Sequence, residues 1–193
     1  MNRMRMRLGR WAAALAVAAL AAGSGFVAAG PASAASTTSY NPIRNAGPNQ
    51  LCLDVMSEDG LQNDGARLQL YHCTGVSEQK FILVQADTGE GPVPGYYEIR
   101  PASSPGKCLV PSTTTSAWDT PLNPGAFLGA QVVQKTCAFY AQIQNWKFKS
   151  TSEIVNQYYG DSACLDTGGN GTADHERVML WLCSGNLTQR WIS

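Results

Sequence analysis

The chain has 193 residues, of which 44% are hydrophobic and 15% charged, and its 14 basic and 14 acidic side chains cancel. That much apolar material with so little charge excludes an intrinsically disordered chain. The absence of a basic excess argues against nucleic acid as a partner, because phosphate binding needs a positive field.

Residues 1–35 read as a secretory signal peptide. Arg3, Arg5, Arg7 and Arg10 precede an apolar run at 11–22, and Ala32-Ser33-Ala34 offers an A-x-A cleavage site. A membrane anchor is the alternative, since 11–29 nearly reaches spanning length. Gly23, Ser24 and Gly25 interrupt that stretch, and the polar Ser36-Thr37-Thr38-Ser39 follows it, so cleavage and a secreted product are expected. The leader holds four of the basic residues and none of the acidic ones. The mature chain then carries 10 basic against 14 acidic residues, a net of −4. About 158 residues remain, enough for one domain with a real core.

All six cysteines follow the leader: Cys52, Cys73, Cys108, Cys137, Cys164 and Cys183. An even count in an exported chain reads as three disulfides. No two cysteines are close enough for a metal knuckle, and only His72 and His175 are present to assist, so neither a metal nor any other cofactor is expected. Cys52, Cys108 and Cys164 are each 56 residues apart and stand in Leu51-Cys52-Leu53-Asp54, Lys107-Cys108-Leu109-Val110 and Ala163-Cys164-Leu165-Asp166. A second cysteine follows each, and a few residues beyond come Gln79-Lys80-Phe81, Gln144-Asn145-Trp146 and Gln189-Arg190-Trp191. The chain is therefore a threefold repeat. If each unit is one structural copy, the bridges are Cys52–Cys73, Cys108–Cys137 and Cys164–Cys183, each contributing about 3–4 kcal/mol in the chain-entropy model.

In chain order, Arg67-Leu68-Gln69-Leu70-Tyr71, Phe81-Ile82-Leu83-Val84, Tyr96-Tyr97-Glu98-Ile99-Arg100, Gln131-Val132-Val133-Gln134 and Val178-Met179-Leu180-Trp181 read as short strands. Turn clusters such as Ser57-Glu58-Asp59-Gly60 separate them, and no convincing helical stripe occurs. An all-β barrel or sandwich follows, and the threefold repeat favours a threefold-symmetric barrel. The second unit departs from the others through an insertion at 112–130 containing Trp118, a loop long enough to suggest function or mobility.

Three Cys-Leu-x … Cys … Gln-x-aromatic units resemble the ricin B-type lectin domain, and the resemblance covers about residues 40–193. It implies a β-trefoil of twelve strands, four per unit and one disulfide per repeat, with Phe81, Trp146 and Trp191 in the core. It further implies shallow sugar pockets. An Asp after the first cysteine accepts from sugar hydroxyls, an aromatic two residues before the second cysteine stacks on the ring, and contacts from four residues before that cysteine and from an Asn-Gln pair complete the set. This chemistry suits a pyranose, which has one C–H face and a fan of hydroxyls.

Carried over residue by residue, the resemblance gives a first site of Asp54, Gln69, Tyr71, Glu78 and Gln79, with Glu78 in place of the family's Asn. A third-unit site comprises Asp166, Met179, Trp181, Thr188 and Gln189, with Thr188 replacing Asn. The second unit has Val110, Lys135 and Ile143 at these places, so its pocket is expected to be dead. Asn170 and His175 lie near enough in sequence to reach a rim, but the sequence does not place them. The bland alternative for Asp54 and Asp166 is turn capping, and for Tyr71 and Trp181 strand core. Loss of the whole set in the second unit, where the cysteines and Gln-x-Trp persist, favours two sugar sites.

An enzyme is not expected. The two histidines occupy unrelated repeat positions, the cysteines are committed to bridges, and Asp54 and Asp166 belong to different units rather than to one acid/base pair. The expected function is a monomeric, non-catalytic carbohydrate-binding module for polysaccharide or cell-surface glycan, with galactose- or xylose-type sugars. A protein-binding trefoil, either a protease inhibitor or a toxin's cell-binding subunit, acting through the 112–130 loop, is the alternative.

Overall fold

The computed structural model describes residues 39–112 and 128–193. The expected signal peptide and most of the 112–130 insertion, Trp118 included, lie outside the described residues. The first unit contributes β1 (Arg44–Asn45), β2 (Cys52–Val55), β3 (Leu68–Tyr71) and β4 (Phe81–Asp87). The second contributes β5 (Pro92–Pro101), β6 (Lys107–Pro111), β7 (Val132–Thr136) and β8 (Asn145–Phe148). The third contributes β9 (Ile154–Asn156), β10 (Ala163–Thr167), β11 (Val178–Leu182) and β12 (Trp191–Ile192). Among the described residues there is no α-helix, only five short 3₁₀ turns.

The first and last strands of each unit close a ring. β12 pairs with β1, β4 with β5, β5 with β8 and β8 with β9, all antiparallel. Bridges Asn41–Phe81 and Glu153–Arg190 complete the circuit. A closed ring leaves no free sheet edge. The middle strands form three hairpins, β2–β3, β6–β7 and β10–β11, one per unit. These are joined to one another by bridges Arg67–Val133, Gln131–Met179 and Arg177–Gln69. In every case a residue six before a second cysteine meets one four before the next unit's, so the threefold repeat of the sequence is a threefold repeat in space.

Period-2 alternation explains which side of each hairpin is core. Leu53, Val55, Leu68 and Leu70 of the first hairpin are fully buried, as are Leu109 and Val132 of the second and Leu165, Val178 and Leu180 of the third. Phe81, Trp146 and Trp191 join them in one apolar cluster. The Trp146 and Trp191 indole N–H groups donate to the Leu109 and Leu165 carbonyls at 2.8 and 3.0 Å. The three disulfides pair as the repeat requires, Cys52–Cys73, Cys108–Cys137 and Cys164–Cys183.

Two glutamines, Gln134 buried and Gln131 half-buried, break the symmetry of this core. Gln134 stands where the other units have Leu70 and Leu180. Its amide is satisfied by Ser104 and by the Leu61 and Asn63 carbonyls. Gln131 stands where the others have Arg67 and Arg177, and its Nε2 lies within 2.6–3.2 Å of the carbonyls of Leu68, Val132 and Val178. Those three residues are repeat equivalents, so one amide group sits on the pseudo-threefold axis.

Candidate glycan-binding sites

The hairpin register assembles each site. Asp54 lies directly across from Gln69, and Cys52 across from Tyr71. All four therefore share the face opposite the leucine core. The third unit repeats this with Asp166 across from Met179 and Cys164 across from Trp181. In the second unit Val110 faces Val133, and Cys108 faces Lys135, so that hairpin presents neither carboxylate nor aromatic ring.

At the first unit the structure forms a cavity of roughly 170 Å³ lined by Asp54, Gln69, Tyr71, Glu78, Gln79 and His175, among others. Asp54 is buried (6% exposed) and accepts from Gln69 Nε2 at 2.9 Å. Burial pushes its carboxyl above the ordinary value, Glu78 and Glu58 push the same way, and hydrogen bonds from Gln69 and Gln79 work against them. Gln69 in turn meets His175 Nδ1 at 2.9 Å through its Oε1.

Tyr71 is held between both histidines of the chain. The His72 ring lies 4.2 Å from it and the His175 ring 5.0 Å, centroid to centroid. The two histidines occupy unrelated repeat positions, yet they meet the same ring because the third unit folds back onto β3. His72 N–H donates to Asp174 at 2.7 Å, and its ring nitrogen meets the same carboxylate at 2.8 Å. Leu70 exchanges backbone hydrogen bonds with His175 and Glu176. His175 is the lining residue that sequence reasoning could not place. The available signal was that it aligns with Gly65 and Gly129 in the other repeats.

At the third unit Asp166 is equally buried, and accepts from Thr167 N–H at 2.7 Å and from Gln189 Nε2 at 2.8 Å. Trp181 is exposed (43%). It rests against Gly129, where any side chain would meet its ring at 3.3 Å. Met179 Sδ lies 3.1 Å from Arg177, which also donates to the Gly129 carbonyl. Thr188 is half-buried, and its carbonyl accepts from Asn45. Asn170 is exposed on the turn that follows β10.

Gln79 and Gln189 are fully buried at the ends of 3₁₀ turns. Each Oε1 accepts a backbone N–H from the residue after the second cysteine, Thr74 or Ser184, and each Nε2 donates to the carbonyl before it, His72 or Leu182. Gln144 of the second unit accepts in the same way from Ala138. The glutamine of Gln-x-Trp thus fastens the loop beyond the second cysteine in all three units, whether or not the carboxylate is present. The second unit has instead a wider cleft of about 510 Å³ beside the exposed Phe139 and Tyr140. Two groups of potential metal ligands occur among the described residues, but each contains both sulfurs of a disulfide, which are not free to ligate.

Several solved structures share this fold. The designed threefold-symmetric protein ThreeFoil is 25% identical with a TM-score of 0.60, over 79% of this chain and 95% of its own. A mosquitocidal holotoxin matches at 18% identity and TM-score 0.60 over 80% of this chain, which spans only 17% of the toxin. The C-half of an earthworm R-type lectin, solved with GalNAc, matches at 13% identity and TM-score 0.53, over 79% of this chain and 95% of its own. A sequence search of functionally characterised proteins returns no match. The sequence model of the ricin-type β-trefoil lectin domain matches residues 39–191, nearly the whole described chain with its three hairpins and three bridges. The chain belongs to the ricin-type β-trefoil lectin family.

Proposed function

We propose that the protein is exported, loses residues 1–35, and binds glycans without catalysis through two sites. The first comprises Asp54, Gln69, Tyr71, Glu78 and Gln79, the second Asp166, Met179, Trp181, Thr188 and Gln189. In each site the buried carboxylate accepts hydrogen bonds from adjacent sugar hydroxyls while the aromatic ring covers the C–H face of the pyranose. Gln79 and Gln189 act through the carboxylate and the loop they fasten. The observation that carries this reading is a register. A carboxylate and an aromatic stand on one outward hairpin face in units one and three, and both are missing from unit two, where the scaffold is otherwise retained. Galactose- or xylose-type sugars on a polysaccharide or cell surface are the proposed ligands. GalNAc in the related earthworm lectin agrees with the galactose-type choice.

A glycan array probed with the secreted, oxidised protein beside an Asp54→Ala/Asp166→Ala variant tests this. Binding by the wild type that disappears in a folded variant is the expected result. A folded wild type that binds nothing on a broad array, or a variant that binds undiminished, overturns the reading. Shallow single sites imply dissociation constants of about 0.1–1 mM, so a multivalent display is needed for detection.

A further inference from the structure

Eight residues before the second cysteine stand Gly65, Gly129 and His175. All three have left-handed backbone, with φ of 91°, 83° and 64°. Each donates its backbone N–H to the carbonyl three residues before the second cysteine of the neighbouring unit: Gly65 to Gln134, Gly129 to Leu180 and His175 to Leu70. The fold therefore demands this conformation three times. Glycine meets the demand without strain, whereas an L side chain costs roughly 1–2 kcal/mol. A histidine held against that cost points to a use for its side chain.

The side chain reaches into the first site. Asp54 can only accept from Gln69 when ionised, so the Gln69 amide presents its NH₂ to Asp54 and its Oε1 to His175. Oε1 accepts, so His175 Nδ1 carries the proton, and Nε2 of the neutral ring is an acceptor. The ring also packs edge-on to Tyr71 and lines the cavity. At the third-unit site the equivalent position is Gly129, which has no side chain to offer and lies against Trp181.

We propose that His175, delivered across the repeat boundary by the third unit, is a ligand-contacting and specificity-determining residue of the first site. This inference rests on the glycan-binding reading above. The first site is then a composite of two units that reads one more sugar hydroxyl than the third-unit site does. The two sites accordingly rank sugars differently, although their Asp-plus-aromatic cores are alike.

The test titrates the oxidised protein with galactose, N-acetylgalactosamine and xylose, following backbone amide NMR shifts near Tyr71 and near Trp181 separately. His175→Gly installs the residue that the other two repeats use and keeps the backbone hydrogen bond to Leu70, so its melting temperature is expected to stay level or rise. Its affinity for the preferred sugar near Tyr71 is expected to fall about tenfold, the worth of one hydrogen bond to a ligand, with the Trp181 response unchanged. His175→Asn, which tolerates left-handed backbone and keeps a polar group, recovers part of the loss. If Asp54→Ala abolishes the Tyr71 response while His175→Gly leaves affinity and sugar ranking as in the wild type, the His175 inference is overturned and the site stands. If no sugar moves either set of amides in the wild type, the glycan-binding reading fails and this inference falls with it.

Discussion

Asp54 joins two opposed demands in one side chain. Its carboxyl is held above the ordinary 3.8, first by burial and then by Glu78 and Glu58, against the hydrogen bonds of Gln69 and Gln79. Because the folded pKa is the higher one, the native state takes up a proton before the unfolded chain does as pH falls. Acidification through that window adds stability from this group, and the contribution is lost again as pH rises through the folded pKa. The same protonation removes the acceptor that a sugar hydroxyl needs. Binding at the first site should therefore fall on acidification with a midpoint above 3.8, as measured by sugar titrations followed at Tyr71. Asp54→Asn should abolish that binding at neutral pH while the melting temperature holds or rises. A variant that lost both binding and stability would make Asp54 a structural partner of Gln69 instead of a ligand contact. The identities of these residues were legible in the sequence, because the repeat aligned them. Their burial was not, since it depends on what the neighbouring unit lays over them.

At the level of the element, the Gln-x-Trp turn separates scaffold from site. Gln144 fastens the loop after Cys137 in a unit with no Asp after its first cysteine. Gln144→Ala should cost about 1–3 kcal/mol, the penalty for a backbone N–H left without its partner, and leave binding at the other two sites intact. Chemical denaturation beside a sugar titration checks both halves. Trp146→Ala should be more severe, about 3–5 kcal/mol, because it empties the core and orphans the Leu109 carbonyl. The hairpins themselves were readable from alternation and cysteine spacing. Gln134 was not, since a polar residue at a leucine position gives no local sign of the Ser104, Leu61 and Asn63 groups that satisfy it.

Across the whole molecule, the three units meet at Gln131. Its amide serves three repeat-equivalent carbonyls on the pseudo-threefold axis. Gln131→Leu fits the space but supplies no donor, and should lower stability by about 1–3 kcal/mol, measured by denaturant unfolding. The same architecture places the two proposed sites on different hairpins of one rigid body. On an immobilised galactose polymer, disabling either site alone should weaken retention by about tenfold or more, because linked binding events multiply. The affinity of the remaining site for free galactose should not change. Loss of retention in only one of the single variants would mean that only one site engages, and equal retention by both variants and the wild type would mean that the two sites do not act together.

The sequence by itself determined the threefold repeat, the all-β class, the disulfide partners and which hairpins carry an Asp and an aromatic side by side. Each of these is written in local spacing, and a repeated unit states its own register three times. Only the tertiary structure decided what passes between units: both histidines around Tyr71, Gln131 on the axis, and Gly129 beneath Trp181. His175 and Gln69 are 106 residues apart. No periodicity connects them, because the closing of the ring, rather than any pattern along the chain, brings the last unit against the first.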